Sequence, residues 1–327
     1  MKIVLFQQHK FALWNPPPWV AIQLQARFPQ LEIVHPATPE ELAVELVDAE
    51  IAIGGTLPPD QLARASRLKW VHSPAAAVHQ FMTPEFIACP AMLTNGRAVF
   101  AAAVAEHVIA LVFALARQLP ACMRYQTHRI WGQQDLWNAP VRPRTVTGAT
   151  LGMVGLGAIG REVVQRANAL GMKTIAMRAH PENATEGVSV VYGPSELPTL
   201  LRQSDFVVMA APVTPSSRHL INAESLSQMK STACLINVGR GALVDETALA
   251  KALQTNQIAG AALDVFEEEP LPPDSPLWTL ENLLITPHCA GFIENLWDRH
   301  LAEIAENLSR YLAGKPLLGM VDKVRGY

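Results

Sequence analysis

Thr150-Leu151-Gly152-Met153-Val154-Gly155-Leu156-Gly157-Ala158-Ile159-Gly160, continuing to Met177, is the stretch on which the fold turns. After Thr150 its opening residues carry no polar side chain and predict a buried strand. Gly155, Gly157 and Gly160 follow at the spacing of a phosphate-binding turn, and 159–170 predicts an amphipathic helix with Val163, Val164 and Ala167 on its inner face. Lys173–Met177 then returns as a second strand. Strand, glycine turn, helix and strand in that order form a dinucleotide-binding unit. The first glycine permits the tight turn and the second lets the backbone approach a pyrophosphate. The third lets helix and strand pack closely. The free N–H groups at the helix start, around Ala158 and Ile159, would hold the phosphates.

The end of the second strand separates NAD from NADP. An acidic residue there would accept from the ribose hydroxyls, but the strand runs Met177-Arg178-Ala179-His180 with no carboxylate before Glu182. Arg178 can pair with a 2′-phosphate, with His180 assisting. NADP is therefore favoured, with NAD as the alternative.

Outward from this unit, the same rhythm continues in both directions. Downstream, strands are predicted at 206–210, 233–238, 260–264 and 283–286. Upstream, strands at Lys2–Phe6, 31–35, 50–53, 69–72 and 92–94 alternate with helices at 19–28, 39–46 and 59–65. Alternation of this kind predicts parallel sheets with helices on both faces. With 327 residues the chain exceeds what one core usually supports. The expected fold class is therefore α/β, as two doubly wound parallel-sheet domains: a flavodoxin-like domain and a Rossmann dinucleotide-binding domain. An Ala-rich helix at 98–117 joins them, and a closing helix at 293–312 has no strand after it and is expected to pack back on the first domain.

Half of the residues are hydrophobic and the formal net charge is −3, with no basic run. This gives no reason to expect nucleic acid or a membrane surface as partner. The apolar stretch 98–115 is interrupted by Glu106 and His107, a costly pair inside a bilayer, so it predicts a buried helix rather than a membrane span. Cys89, Cys122, Cys234 and Cys289 lie far apart with no metal-ligand spacing. They suit a cytoplasmic protein with reduced thiols, and no metal is expected.

Three downstream segments carry chemistry. They are Leu235-Ile236-Asn237-Val238-Gly239-Arg240-Gly241, then Asp264-Val265-Phe266-Glu267-Glu268-Glu269-Pro270, then Thr286-Pro287-His288-Cys289-Ala290-Gly291. Each follows a predicted strand, so all three should gather at the carboxyl edge of one parallel sheet. Arg240 can bridge a carboxylate and an adjacent carbonyl with its planar fork. His288 can give and take a proton, and Glu269 can orient its ring through the second nitrogen. Residue chemistry alone does not choose among Glu267, Glu268 and Glu269.

These segments, in this order and spacing, resemble the D-isomer-specific 2-hydroxyacid dehydrogenase family, which includes glyoxylate and hydroxypyruvate reductases. Arg240 and Glu269 are 29 positions apart and Glu269 and His288 are 19 apart, within the family's habit. The likeness runs from about Val71 to the C-terminus and is looser before it. It implies a catalytic set of Arg240, Glu269 and His288, and hydride transfer between NAD(P)H and a small 2-keto acid to give the D-2-hydroxy acid. Glyoxylate or hydroxypyruvate is the favoured substrate type. It also implies cofactor contacts at Ala211 and Pro212, Val238 and Gly239, Asp264, Ala290 and Gly291. Asp264 could instead cap a turn. The implied domains are a substrate domain of 1–97 plus 291–327 and a cofactor domain of 98–290, dimerising through the cofactor domains. Substrate is expected to meet Arg240, His288 and the backbone amides of Ala76 and Ala77. Many relatives have glycine in that turn, whereas this chain reads Ser73-Pro74-Ala75-Ala76-Ala77-Val78. Alanine tolerates positive φ poorly, so a different loop shape is expected. The alternatives are a dinucleotide-sensing, corepressor-like binding protein and a family variant that oxidises another small anion such as phosphite.

Overall fold

The computed structural model describes residues 1–182 and 187–326. Its contacts divide the chain into two compact units, Met1–Phe100 with Ile293–Tyr327, and Ala101–Phe292.

The first unit holds a five-stranded parallel sheet. Its strands are β1 (Lys2–Phe6), β2 (Glu32–Val34), β3 (Ile51–Gly54), β4 (Trp70–Ser73) and β5 (Met92–Asn95), in the order β2-β1-β3-β4-β5. Three helices, α1 (Pro18–Arg27), α2 (Pro39–Glu45) and α3 (Pro59–Arg64), begin at prolines whose missing N–H is not needed there. A fourth short helix, α4 (Pro84–Ala88), was not evident from the sequence. Strands β1, β3 and β4 are buried on both faces. Ile3, Leu5, Ile51, Ile53 and Trp70 face one core layer, while Val4, Ala52 and Val71 face another.

The second unit is a seven-stranded, all-parallel sheet of order β12-β11-β10-β9-β6-β7-β8. It comprises β6 (Thr150–Val154), β7 (Lys173–Met177), β8 (Val190–Tyr192), β9 (Phe206–Met209), β10 (Cys234–Asn237), β11 (Gly260–Leu263) and β12 (Leu283–Ile285). The strand order reverses at β6, which pairs with β7 on one side and β9 on the other. A crevice outside the carboxyl ends of such a pair is where open α/β sheets bind ligands.

The long apolar helix is α5 (Arg97–Ala116), followed by α6 (Leu119–Thr127) and α7 (Gln133–Asn138). By length and composition α5 is the one helix among the described residues able to cross a membrane, and about half of that window is buried in the protein. Its polar pair is engaged within the second unit: Glu106 receives Arg166 at 3.4 Å, and His107 reaches Thr286 at 3.1 Å. The remaining helices are α8 (Ala158–Ala169), α9 (Leu197–Gln203), α10 (Ala223–Ser227), α11 (Glu246–Gln254) and α12 (Leu296–Leu312). In α12, Trp297, Leu301, Ile304 and Leu308 recur at three- and four-residue intervals and bury against Ile3, Leu5 and Trp70.

Candidate active site

Gly155 leaves β6 with φ +99°, and a Cβ on it would lie 2.7 Å from the backbone of Ala210 and Ala211. A side chain does not fit between the β6 and β9 turns, so Ala210 and Ala211 are held against the glycine loop. At Gly160 a Cβ would meet the Gly155 carbonyl oxygen at 2.3 Å, which is the close helix–strand contact its position predicts. Gly157 differs. A Cβ there meets nothing within 4 Å, and the residue caps α8 without a side-chain hydrogen bond. The N-terminus of a three-turn helix therefore opens onto a bare, accessible backbone, and this cradle fits the phosphates of a dinucleotide.

Arg178 follows β7, and its N–H donates to Tyr192 of β8 at 3.1 Å. No hydrogen bond or ion pair among the described residues engages its guanidinium. His180 instead lies 3.3 Å from Glu182.

Asn237, fully buried at the end of β10, shapes the turn that presents Arg240. Its Nδ2 donates to the Arg240 carbonyl at 2.9 Å, and its Oδ1 accepts from the Gly239 N–H at 3.1 Å. Gly241 admits the neighbouring loop, since a Cβ there would overlap the Phe266 carbonyl carbon at 1.8 Å. The Arg240 and Glu269 loops are thereby pressed together. The Arg240 guanidinium donates to the Gly239 carbonyl. Burial lowers its pKa and the Glu269 charge raises it, but a guanidinium remains cationic.

His288 sits at φ +50° with its Nδ1 2.6 Å from Glu269 Oε2. The other Glu269 oxygen accepts from the Phe266 N–H at 2.9 Å. Partial burial pushes the Glu269 carboxyl up. The bonds from His288 and Phe266, with the charges of His288 and Arg240, outweigh this and hold it below the usual carboxylate range. An ionised Glu269 can only accept, so His288 Nδ1 carries the proton of this bond. The neighbouring glutamates do other things. Glu267 pairs with His219 at 3.0 Å and Arg218 at 3.3 Å, and Glu268 is exposed.

Asp264, 1% exposed, anchors the loop that carries His288. It accepts from the Thr286 hydroxyl at 2.6 Å, and from the N–H groups of Cys289 and Ala290 at 3.0 Å each. Ligand-type atoms of His107, Asp264 and Cys289 lie within 4.8 Å of one another. Burial and the Asp264 charge push the Cys289 thiol up, which works against the thiolate a metal needs.

The second unit thus brings together the glycine loop, 211–212, 238–241, Asp264, Glu269 and 286–291. Ala76 and Ala77 belong to the first unit, where Asn95 Nδ2 donates to the Ala76 carbonyl at 2.6 Å. None of Ala75, Ala76 and Ala77 has positive φ, so this turn forms without the conformation that glycine would permit. Sequence reasoning assigned no hydrogen-bonding role to Asn95, Asn237 or Thr286. Their one signal is a polar side chain at the end of a strand. Trp297 is 6% exposed and donates to the Leu13 carbonyl inside the first unit.

Comparison with known proteins bears on the chemistry. Residues 109–290 match the family model described as D-isomer specific 2-hydroxyacid dehydrogenase, NAD binding domain. The D-3-phosphoglycerate dehydrogenase of Methanocaldococcus jannaschii is 32% identical over 312 residues, covering 94% of this chain and 58% of that protein. The chain therefore spans little more than half the length of that relative. Glyoxylate/hydroxypyruvate reductase B of Citrobacter koseri is 34% identical over 294 residues, 88% of each chain. The crystal structure of a D-isomer specific 2-hydroxyacid dehydrogenase from Xanthobacter autotrophicus Py2, in complex with NADPH and MES, matches with a TM-score of 0.83. That structure is 31% identical and covers 99% of both chains.

Proposed function

The chain belongs to the D-isomer specific 2-hydroxyacid dehydrogenase family, and from that premise we propose that it reduces a small 2-keto acid of the glyoxylate or hydroxypyruvate type to the D-2-hydroxy acid, with NADPH preferred over NADH. The observation that carries this reading is the 2.6 Å bond between His288 Nδ1 and Glu269, in the same unit as Arg240 and the open glycine loop. Because Nδ1 is committed to the carboxylate, Nε2 is the nitrogen that delivers a proton to the carbonyl oxygen during reduction and recovers it during oxidation. Arg240 holds the keto acid by its carboxylate and stabilises the developing oxyanion.

When bound, the nicotinamide supplies the hydride. Gly155, Gly157, Ala158, Ile159 and Gly160 hold its pyrophosphate. Ala211, Pro212, Val238, Gly239, Asp264, Ala290 and Gly291 line the remainder of the cofactor. Arg178 takes the 2′-phosphate, a role supported by its unengaged guanidinium after β7 and by the NADPH bound in the Xanthobacter relative. The active form is a homodimer in the cytoplasm. The test is an absorbance assay with NADPH and NADH against a panel of 2-keto acids. Turnover with NADPH and glyoxylate or hydroxypyruvate is expected, and failure to oxidise either cofactor with every keto acid overturns the proposal.

A further inference from the structure

We propose that Thr286 and His107 are positioning residues for His288, acting through Asp264; this rests on the proton-transfer role assigned to His288 above. Thr286 has one hydroxyl proton, and it goes to Asp264 Oδ1 at 2.6 Å. His107 Nε2 lies 3.1 Å from the same hydroxyl oxygen, which has only acceptor capacity left. His107 therefore carries its proton on Nε2 and donates it. The result is a directed chain from helix α5, through the end of β12, to the buried carboxylate at the end of β11.

That carboxylate governs the conformation of His288. The Asp264 carbonyl accepts from the His288 N–H at 2.8 Å, and its side chain accepts from the next two N–H groups, those of Cys289 and Ala290. Residues 286–290 are thus tied to Asp264 on both sides of a histidine whose φ of +50° an L side chain rarely adopts. Oδ1 accepts from both Thr286 and Cys289, so the direction of the threonine hydroxyl helps to set the carboxylate plane to which the loop is fastened. Removing the hydroxyl leaves the His107 N–H without its acceptor and frees the carboxylate to turn. The cost falls on the aim of the His288 ring rather than on the binding of substrate.

Thr286→Val keeps the side-chain shape and removes the hydroxyl, while Thr286→Ser keeps the hydroxyl. In NADPH-dependent reduction of glyoxylate by the full chain, kcat of Thr286→Val is expected to fall about tenfold or more. KM for glyoxylate and Kd for NADPH should stay within about twofold, and Thr286→Ser should recover about half of wild-type kcat or better. His107→Gln retains a donor near the Nε2 position and is expected to exceed His107→Phe in kcat by about fivefold. This second pair decides the matter if Thr286→Val does not fold. Wild-type kcat in folded Thr286→Val, Thr286→Ser as slow as Thr286→Val, or equal rates in the two His107 variants overturns the proposal. A wild-type chain inactive on every keto acid overturns the proposed function instead.

Discussion

His288 and Arg178 show what single side chains contribute. His288 occupies a left-handed backbone conformation costing on the order of 1 kcal/mol or more, and the bonds it donates to Asp264 and Glu269 offset it. Its removal should leave the cofactor loop intact, because that loop belongs to β6 and α8. Folded His288→Ala is therefore expected to lose roughly two to four orders of magnitude in kcat with unchanged NADPH affinity, measured by steady-state kinetics and cofactor titration. Near-normal turnover would remove His288 from the mechanism. Arg178→Asp replaces a potential phosphate partner with one for ribose hydroxyls. kcat/KM with NADPH should fall about tenfold or more while that with NADH rises. An unaltered cofactor ratio would return Arg178 to the role of a solvated strand-end charge. The partner of His288 also has a pH consequence. Glu269 is held below its ordinary value of 4.5, so its contribution to stability is complete above 4.5 and is lost only as pH falls through the lower folded value.

At the scale of elements, α12 carries the most testable feature of the first unit. Its apolar stripe was legible from the spacing of Trp297, Leu301, Ile304 and Leu308, but what His300 and Glu303 do between those positions was not. Burial lowers His300 to about 4 and His72 on β4 to about 3, the latter aided by the nearby His300. Burial also raises Glu303 to about 7 against the opposing charge of Arg97, with Glu303 Oε2 4.0 Å from His72 Nε2. The signs differ. Between their folded values and 6.5 the histidines bind fewer protons folded than unfolded, so they make stability rise with pH. Between 4.5 and 7 Glu303 binds more protons folded than unfolded, so it makes stability fall with pH. Glu303→Gln should remove the opposing slope, worth at most about 1.4 kcal/mol per pH unit, leaving stability that climbs to pH 6.5 and then levels. Urea unfolding of both chains from pH 4.5 to 7.5 measures it, and parallel curves would place the Glu303 titration elsewhere. The same scale explains uneven legibility. β6 and β7 match their predicted bounds because each lies beside a glycine turn and buries every residue after its first. β8 was missed: it has three residues, one face exposed, and becomes a strand only by pairing with β7.

For the whole molecule, occupancy of the glycine loop should couple to unfolding. At a hundredfold excess over Kd, NADPH should add about 2.7 kcal/mol to stability and raise the thermal midpoint, whereas Gly155→Ala should abolish the shift. An equal shift in that variant would mean that the cofactor is held elsewhere. The sequence by itself determined the strand–helix alternation, the glycine turn and the residue types of the candidate site, because periodicity and turn chemistry are local properties. Strand ends placed the three chemical segments at one sheet edge, but the order of those strands was not readable from local pattern. Arg240, Glu269 and His288 share one edge because β10, β11 and β12 are consecutive neighbours in the sheet, and strand order is a property of the assembled sheet. Nor did residue chemistry separate three consecutive glutamates. The tertiary structure turns Glu269 to His288 and Glu267 to His219 and Arg218, because successive side chains leaving a turn point in different directions and only the packed chain fixes what lies along each.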